Sequence, residues 1–193
     1  MEATASKKEL THARILDAAA RAIRRKGFDG VGVADVMKEA GLTHGGFYAH
    51  FESREAMLAE ALARAGSAGA ASLSKRMEGR GGHGATALRA VIESYLSDSH
   101  LTGSESGCPV AALASEMPRQ SLQLRHASAE RVEALIERVR RALPAPRARE
   151  DAVVIVSTMV GALQLARVLG PNARGKAVLA SARESLLALH AAD

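Results

Sequence analysis

The stretch "AGLTHGGFYAHFESR", residues 40–54, gathers groups that hydrogen-bond a polyanion: the Thr43 and Tyr48 hydroxyls, the His44 and His50 imidazoles, the Arg54 guanidinium, and two adjacent glycines, Gly45 and Gly46. Each glycine costs a short helix about 1 kcal/mol relative to alanine. That cost suits a surface that must approach something large and flat, where bare amides reach phosphates or base edges that a side chain would hold away. His44 falls at the start of a helix, where it meets a base edge in a major groove. Thr43 brings a hydroxyl and the helix amides to phosphate. Tyr48 and His50 suit the sugar-phosphate backbone, and Arg54 adds charge. Phe47 and Phe51 are expected to turn inward and anchor the segment.

A second chemical candidate is Cys108, the only cysteine, in "SESGCPVAALASEM". Pro109 suits the first position of a helix, which would make Cys108 its N-cap. There a thiolate would accept helix amides and feel the positive end of the dipole, the setting of reactive thiols. Oxidation or attack on an electrophile is the chemistry expected of it; a small buried filler of the core is the alternative. Lys176, the only lysine after Lys75, is the candidate counter-charge.

These groups must be positioned by helices, since apolar residues recur at helical spacing and no sustained alternation supports a sheet. The pattern predicts helices over Lys8–Lys26, stopped by Gly27, and over Val33–Ala40, ended by Gly41. A third is predicted from His44 to His50 with the Thr43 hydroxyl as its cap, and a fourth from Arg54 to about Gly66. "SAGAASLSKRMEGRGGHGAT" then reads as a linker or loop. Further helices are expected over about 85–98, 109–117, 119–143, 148–169 and 174–191, punctuated by Pro118, Pro144, Pro146 and Pro171. The last two are apolar around most of their circumference, which suits a four-helix interface with a second subunit.

Four of the five aromatic residues (Phe28, Phe47, Tyr48 and Phe51) fall near the N-terminus, and only Tyr95 lies elsewhere. This crowding predicts a small N-terminal unit with its own core. The expected division is 1–54 and 55–193. The formal net charge of +5 permits a polyanionic partner without demanding one. Residues 1–54 hold nine Lys/Arg against seven Asp/Glu, so basic residues are not concentrated there, although "RAIRRK" is a local cluster.

Several classes are excluded. No G-x-S-x-G elbow, H-E-x-x-H or phosphate loop occurs, so no enzyme is expected. Gly79, Gly81 and Gly84 match G-x-G-x-x-G without a strand before them, and nucleotide binding is not inferred. His126 and Glu130 have metal-pair spacing but no third ligand nearby, so neither a metal nor a cofactor is expected. The segment Ala152–Leu169 approaches a membrane span but is short and contains Ser157, Thr158, Gln164 and Arg167; it reads as a buried helix, with no membrane partner. With no apolar stretch of signal-peptide length in the first 14 residues and a single cysteine, a reducing cytoplasm is the expected location.

Two short helices joined by Gly41-Leu42-Thr43, with Val36, Leu42 and Phe47 converging, have the spacing of a helix-turn-helix. "AGLTHGGFYAHFESREAML" resembles the DNA-binding segment of the TetR family of bacterial transcriptional regulators, with its pattern G-[VL]-[ST]-x-G-x-[LF]-Y-x-H-F-x-[SN]-[KR]-E-x-[LM]. The resemblance extends back through "ILDAAARAIRRKGFDGVGVADV" and covers residues 10–60. It implies an all-helical two-fold homodimer, with an N-terminal three-helix DNA-binding domain and a C-terminal helical bundle for ligand and dimerisation. It implies double-stranded DNA as partner, at a near-palindromic operator, and repression relieved by an effector. Where the family usually has a phosphate-contacting Ser or Thr at the start of the second helix, this chain has Gly32, so the amides of Gly32 and Val33 are the substitutes. The Gly-Cys-Pro segment resembles a branch whose members include regulators responding to reactive electrophiles. The effector expected is therefore a small molecule or a thiol-reactive electrophile.

Overall fold

The fold is seen in a computed structural model that describes residues 6–77, 85–143 and 149–190. Among these residues there are helices and no strand. Helix α1 (Lys7–Lys26) starts at a capping box, in which the Ser6 hydroxyl accepts from the Glu9 amide and the Glu9 carboxylate accepts from the Ser6 amide. Gly27, at φ 74°, ends it. Ile15, Ala18, Ala19, Ala22 and Ile23 form its buried stripe. Helix α2 (Val33–Glu39) ends in a Schellman turn: Gly41, at φ 69°, donates to the Lys38 carbonyl at 3.0 Å and Leu42 to the Met37 carbonyl at 2.8 Å.

Two expectations fail here in an instructive way. The segment His44–Ala49 is a 3-10 helix rather than an α-helix, and the Thr43 hydroxyl makes no capping bond. Two glycines and six residues give too little propensity to hold a full α-helical turn, so the tighter coil is set by Phe47 packing inward. Helix α3 (Arg54–Met77) runs eleven residues beyond Gly66, through what reads as a linker. Gly66 makes room for a neighbour, since a Cβ there would lie 2.9 Å from the Arg131 side chain, whereas one on Gly69 would make only an ordinary 3.8 Å contact with the Gly107 carbonyl. Gly79, Gly81 and Gly84 lie outside the described residues, as do Pro144 and Pro146.

The remaining helices are α4 (Ala85–Tyr95), α5 (Asp98–Thr102), α6 (Pro109–Leu113), α7 (Leu122–Ala142), α8 (Arg149–Leu169) and α9 (Ala173–His190). Two boundaries shift because serines cap: the Ser97 hydroxyl accepts from the His100 amide and opens α5, and the Ser121 hydroxyl accepts from the Leu124 amide and delays α7. Between α6 and α7, Met117–Arg119 makes a 3-10 turn around Pro118. Helix α8 is long and apolar enough to cross a membrane, but it packs Ala152, Ile155, Met159, Leu163 and Ala166 against the other helices with no exposed surface. It is a core helix with one open face.

The N-terminal unit does not close on itself. Its core of Ile15, Ile23, Phe28, Val36, Met37, Phe47 and Phe51 is completed by Met57, Leu58 and Leu62 of α3, and by Val110, Leu113, Met117 and Leu124 from beyond it. Polar links follow the same route. The Glu116 carboxylate accepts from the Phe28 amide at 2.8 Å, directly under the turn that Gly27 makes. A Cβ at Gly27 would overlap that carboxylate and would also be held at a φ that L residues rarely adopt. Gly27→Ala is therefore expected to lower the melting temperature by about 4 °C or more in calorimetry. An unchanged melting temperature would show that this junction bears no strain.

Candidate nucleic-acid interface and thiol pocket

The Schellman turn at Gly41 sets the angle at which the second half of the motif leaves α2. Phe47 then fixes it from below, lying edge-on to Tyr48 with ring centroids 5.3 Å apart and stacked on Phe51 at 5.5 Å. Replacing a buried Phe by Ala typically costs about 3–5 kcal/mol, so this ring dominates the placement of the surface above it. Thr43, His44, Gly45, Tyr48 and Ala49 are exposed, with Tyr48 at 74%. Tyr48 is a large aromatic standing in solvent rather than core filling.

The two glycines are not required by the fold. Neither has a positive φ. A Cβ on Gly45 would meet nothing within 4 Å, and one on Gly46 would make an ordinary 3.6 Å contact with Met37. Internal packing would accept alanine at both, although the Gly46 amide itself donates to the Thr43 carbonyl at 3.2 Å within the 3-10 turn; what glycine leaves open here is room above the backbone, not a packing need.

The neighbouring residues are more committed. Gly32 is exposed at the N-cap of α2 with no side-chain cap, and Val33 is half-buried against the N-terminal core. Arg54 is turned inward: its Nε donates to the Val31 carbonyl at 3.0 Å and an Nη to the Phe28 carbonyl. It braces the α1–α2 turn rather than standing free as a surface cation. His50 is half-buried, its ring 6.0 Å from that of His12, and its Nδ1 is enclosed without a partner. His12 in turn stacks on Phe51 at 4.5 Å and bonds Glu60 at 2.8 Å.

Burial first, then the nearby charges of His12 and Lys8, hold the His50 imidazole below its ordinary value of 6.5. Because the folded value is the lower one, the stabilisation is complete above pH 6.5 and is lost as pH falls through the folded value. Ring-proton NMR should accordingly show His50 titrating below 6.5, with His50→Gln flattening the acid limb of stability. Titration at or above 6.5 would refute the burial argument.

Cys108 does take the N-cap position of α6, but its thiol makes no capping bond and the helix has only five residues. Its surroundings come instead from distant elements. The Cys108 amide donates to His100 Nε2 at 2.9 Å, while His100 Nδ1 lies 2.7 Å from the Tyr95 carbonyl, an arrangement that places the ring proton on Nδ1. The Tyr95 hydroxyl lies beside the thiol without a hydrogen bond of regular geometry; burial, then Cys108, hold the phenol well above its ordinary value. Arg24, Arg138 and Arg167 are close enough to act on Cys108 electrostatically. Lys176 does not serve it: its Nζ pairs with Asp98 at 2.7 Å on the surface. The basic groups around the thiol are arginines from α1, α7 and α8, which no local pattern around Cys108 announces.

The loop before Cys108 reaches the N-terminal unit. Arg24 Nη1 approaches the Ala65 and Gly107 carbonyls at 3.4 Å, and Arg25 bridges Glu105 at 3.3 Å and Glu39 at 3.1 Å. Burial raises the Glu39 carboxyl's pKa, but Arg25 and Arg21 more than offset it, leaving it below the ordinary value.

A solvent-facing 3-10 segment braced on a Schellman turn, within a core of three N-terminal helices, defines a helix-turn-helix protein with a larger helical bundle behind it. Residues 15–61 match the model of bacterial regulatory proteins of the tetR family, and residues 84–184 match the C-terminal domain of LmrA/YxaF-like transcriptional regulators. An HTH-type transcriptional regulator of Mycobacterium tuberculosis is 32% identical over 166 residues, covering 80% of this chain and 83% of its own. The crystal structure of a TetR transcriptional regulator from Chloroflexus aurantiacus superposes with a TM-score of 0.79 at 25% identity, covering 94% of each chain. The reduced form of E. coli NemR shares the fold, with a TM-score of 0.74 at 21% identity over 91% of this chain and 94% of that one. The chain belongs to the TetR family. It is a transcriptional regulator with a DNA-binding helix-turn-helix, and proteins of this family are regulators rather than enzymes.

Proposed function

We propose that the protein is a cytoplasmic homodimeric repressor that binds a near-palindromic operator and is released by a small molecule or thiol-reactive electrophile acting on its C-terminal part. Residues 1–54 are the reading head and 55–193 the sensing and dimerisation part, joined through α3. The observation that carries the reading is the exposed face Thr43, His44, Gly45 and Tyr48 with half-buried Gly46 beneath it, its two glycines not needed by the fold itself. On this reading His44 meets a base edge, Tyr48 and Thr43 hold phosphates, and the amides of Gly32 and Val33 stand in for the usual hydroxyl contact. His50 and Arg54 act from behind, one packed on His12 and the other bracing the turn.

A dimer is supported by a stripe at helical spacing on α8, Val154, Thr158, Gly161, Leu165 and Val168, apolar apart from the Thr158 hydroxyl, which bonds back to the Val154 carbonyl, and with Val168 exposed at 86%. Val178, Ser181, Ala182 and Ser185 of α9 continue the same shallow groove. Such a face buries well in a four-helix contact. Two heads would then stand about one DNA turn, roughly 34 Å, apart. The bonds from Gly107 and Glu105 to α1 offer a route by which a change at Cys108 reaches the head.

Titration of the promoter DNA beside the protein's own gene tests this. His44→Ala and Tyr48→Ala should each weaken binding by about tenfold or more, with unchanged melting temperatures. Parent binding should fall steeply with salt. Undiminished affinity in both variants would remove the assigned face. In the same assay Cys108→Ser should bind operator as the parent does and resist release by a quinone or an aldehyde. Equal release of the two proteins would make the cysteine structural and leave a non-covalent effector.

A further inference from the structure

Between α3, α4, the loop before α6, and α7 lies a cavity of about 250 Å3. One wall is apolar, made by Gly69, Ala70, Pro109, Val110 and Leu135. The other carries Arg131 and Arg138, and no Asp or Glu is among its described lining residues. Arg138 donates to the Ala70 carbonyl at 3.1 Å. Arg131 reaches only the solvent-exposed Glu130, at 3.6 Å, and its Nε is buried without a partner. Arg24 and Arg167 stand behind the loop, spending Nη donors on the Gly107 and His100 carbonyls, and each has a buried, unpartnered Nε. Among the described residues, no carboxylate forms an ion pair with Arg24, Arg138 or Arg167.

The unmet groups are of one kind. Ser94 Oγ is enclosed without a partner, and the Tyr95 hydroxyl has only the Cys108 thiol beside it, with no hydrogen bond of regular geometry; both residues line the cavity. Tyr95 is only 5% exposed, so its hydroxyl has no access to bulk water. A guanidinium N–H can only donate, and both hydroxyls can donate. Arginine keeps its charge in this setting, and a buried cation is stabilised by a negative acceptor rather than a neutral one. The polar groups therefore call for an anion, and the opposite wall calls for an apolar body. An apolar cavity of about 150 Å3 is enough for benzene, so this space suits one ring with its acidic group.

We propose that this cavity binds a small organic acid, with its carboxylate among Arg131, Arg138 and the Tyr95 hydroxyl and its single ring-sized apolar body on Ala70, Val110 and Leu135. The inference rests on the reading that the C-terminal part receives a small effector. It adds the chemical class and the place. Gly66 and Gly69 of α3, the helix that also enters the head's core, line the same cavity, and so does Cys108.

Isothermal titration of the full chain with benzoate, phenylacetate, neutral benzamide and inorganic phosphate tests the claim. At least one acid should bind about tenfold or more tighter than both benzamide and phosphate. Arg131→Gln and Tyr95→Phe should each weaken that acid by about tenfold. Tyr95→Phe also removes an unpaired buried hydroxyl, so the free variant should melt no lower than the parent, which separates lost binding from lost folding. Benzamide binding as tightly as the acids, acid binding indifferent to both substitutions, or no acid binding at millimolar concentration would each overturn the proposal. Operator binding measured in parallel keeps the readings apart. Failure of every acid with intact operator binding sinks this inference alone, whereas an acid that binds without releasing operator keeps the site and removes its effector role.

Discussion

The N-terminal helices cannot bury their own core, and most of what the molecule does follows from that shortage. One long helix and two short ones leave the core around Phe28, Met37 and Phe47 open, and it is completed by residues of α3, α6 and the start of α7. A surface that depends on distant side chains for its placement is coupled to whatever moves them. The polar links at the seam run through the same place: Glu116 to the Phe28 amide, Arg24 to the Gly107 carbonyl, and Arg25 between Glu105 and Glu39. Packing and hydrogen bonding thus join the reading head to the loop that carries Cys108.

The face proposed to meet DNA is defined by what it lacks. Gly27 and Gly41 are glycines because their backbone requires a positive φ, and Gly27 also because Glu116 occupies the space. Gly45 and Gly46 satisfy neither condition. Glycine in a short 3-10 segment weakens it, and the surrounding ring stack of Phe47, Phe51 and His12 supplies the rigidity that the backbone lacks. Rigid support beneath and an unobstructed backbone above are compatible because the aromatic residues are concentrated in this one segment.

Around Cys108 the molecule assembles positive charge in a partly buried place. Arg24, Arg131, Arg138 and Arg167 come from α1, α7 and α8, and none of them is neutralised by a carboxylate inside the cavity. Burial lowers the pKa of Arg24, Arg138 and Arg167, the direction expected when a charged form loses water. Such an arrangement favours an acid beside Cys108, and the proposed covalent and non-covalent effectors would meet the same arginines.

The sequence by itself determined the helical class, the helix-turn-helix and its exposed residues, because helical periodicity, glycine stops and the aromatic cluster are local signals within one or two turns of chain. It also placed Cys108 at a helix start, since Pro109 follows it directly. Tertiary structure alone decided the rest. The stretch after Gly66 stays helical where α3 packs on α7 and walls the cavity, and the Thr43 hydroxyl and the Cys108 thiol make no capping bonds. Arg54 turned inward to carbonyls of the α1–α2 turn, and Lys176 paired with Asp98. The cavity's arginines come from helices far apart in the chain, and a pocket built by long-range packing leaves no periodic trace. Tyr95, the one aromatic outside the head, carried no local motif that marked it as part of a site.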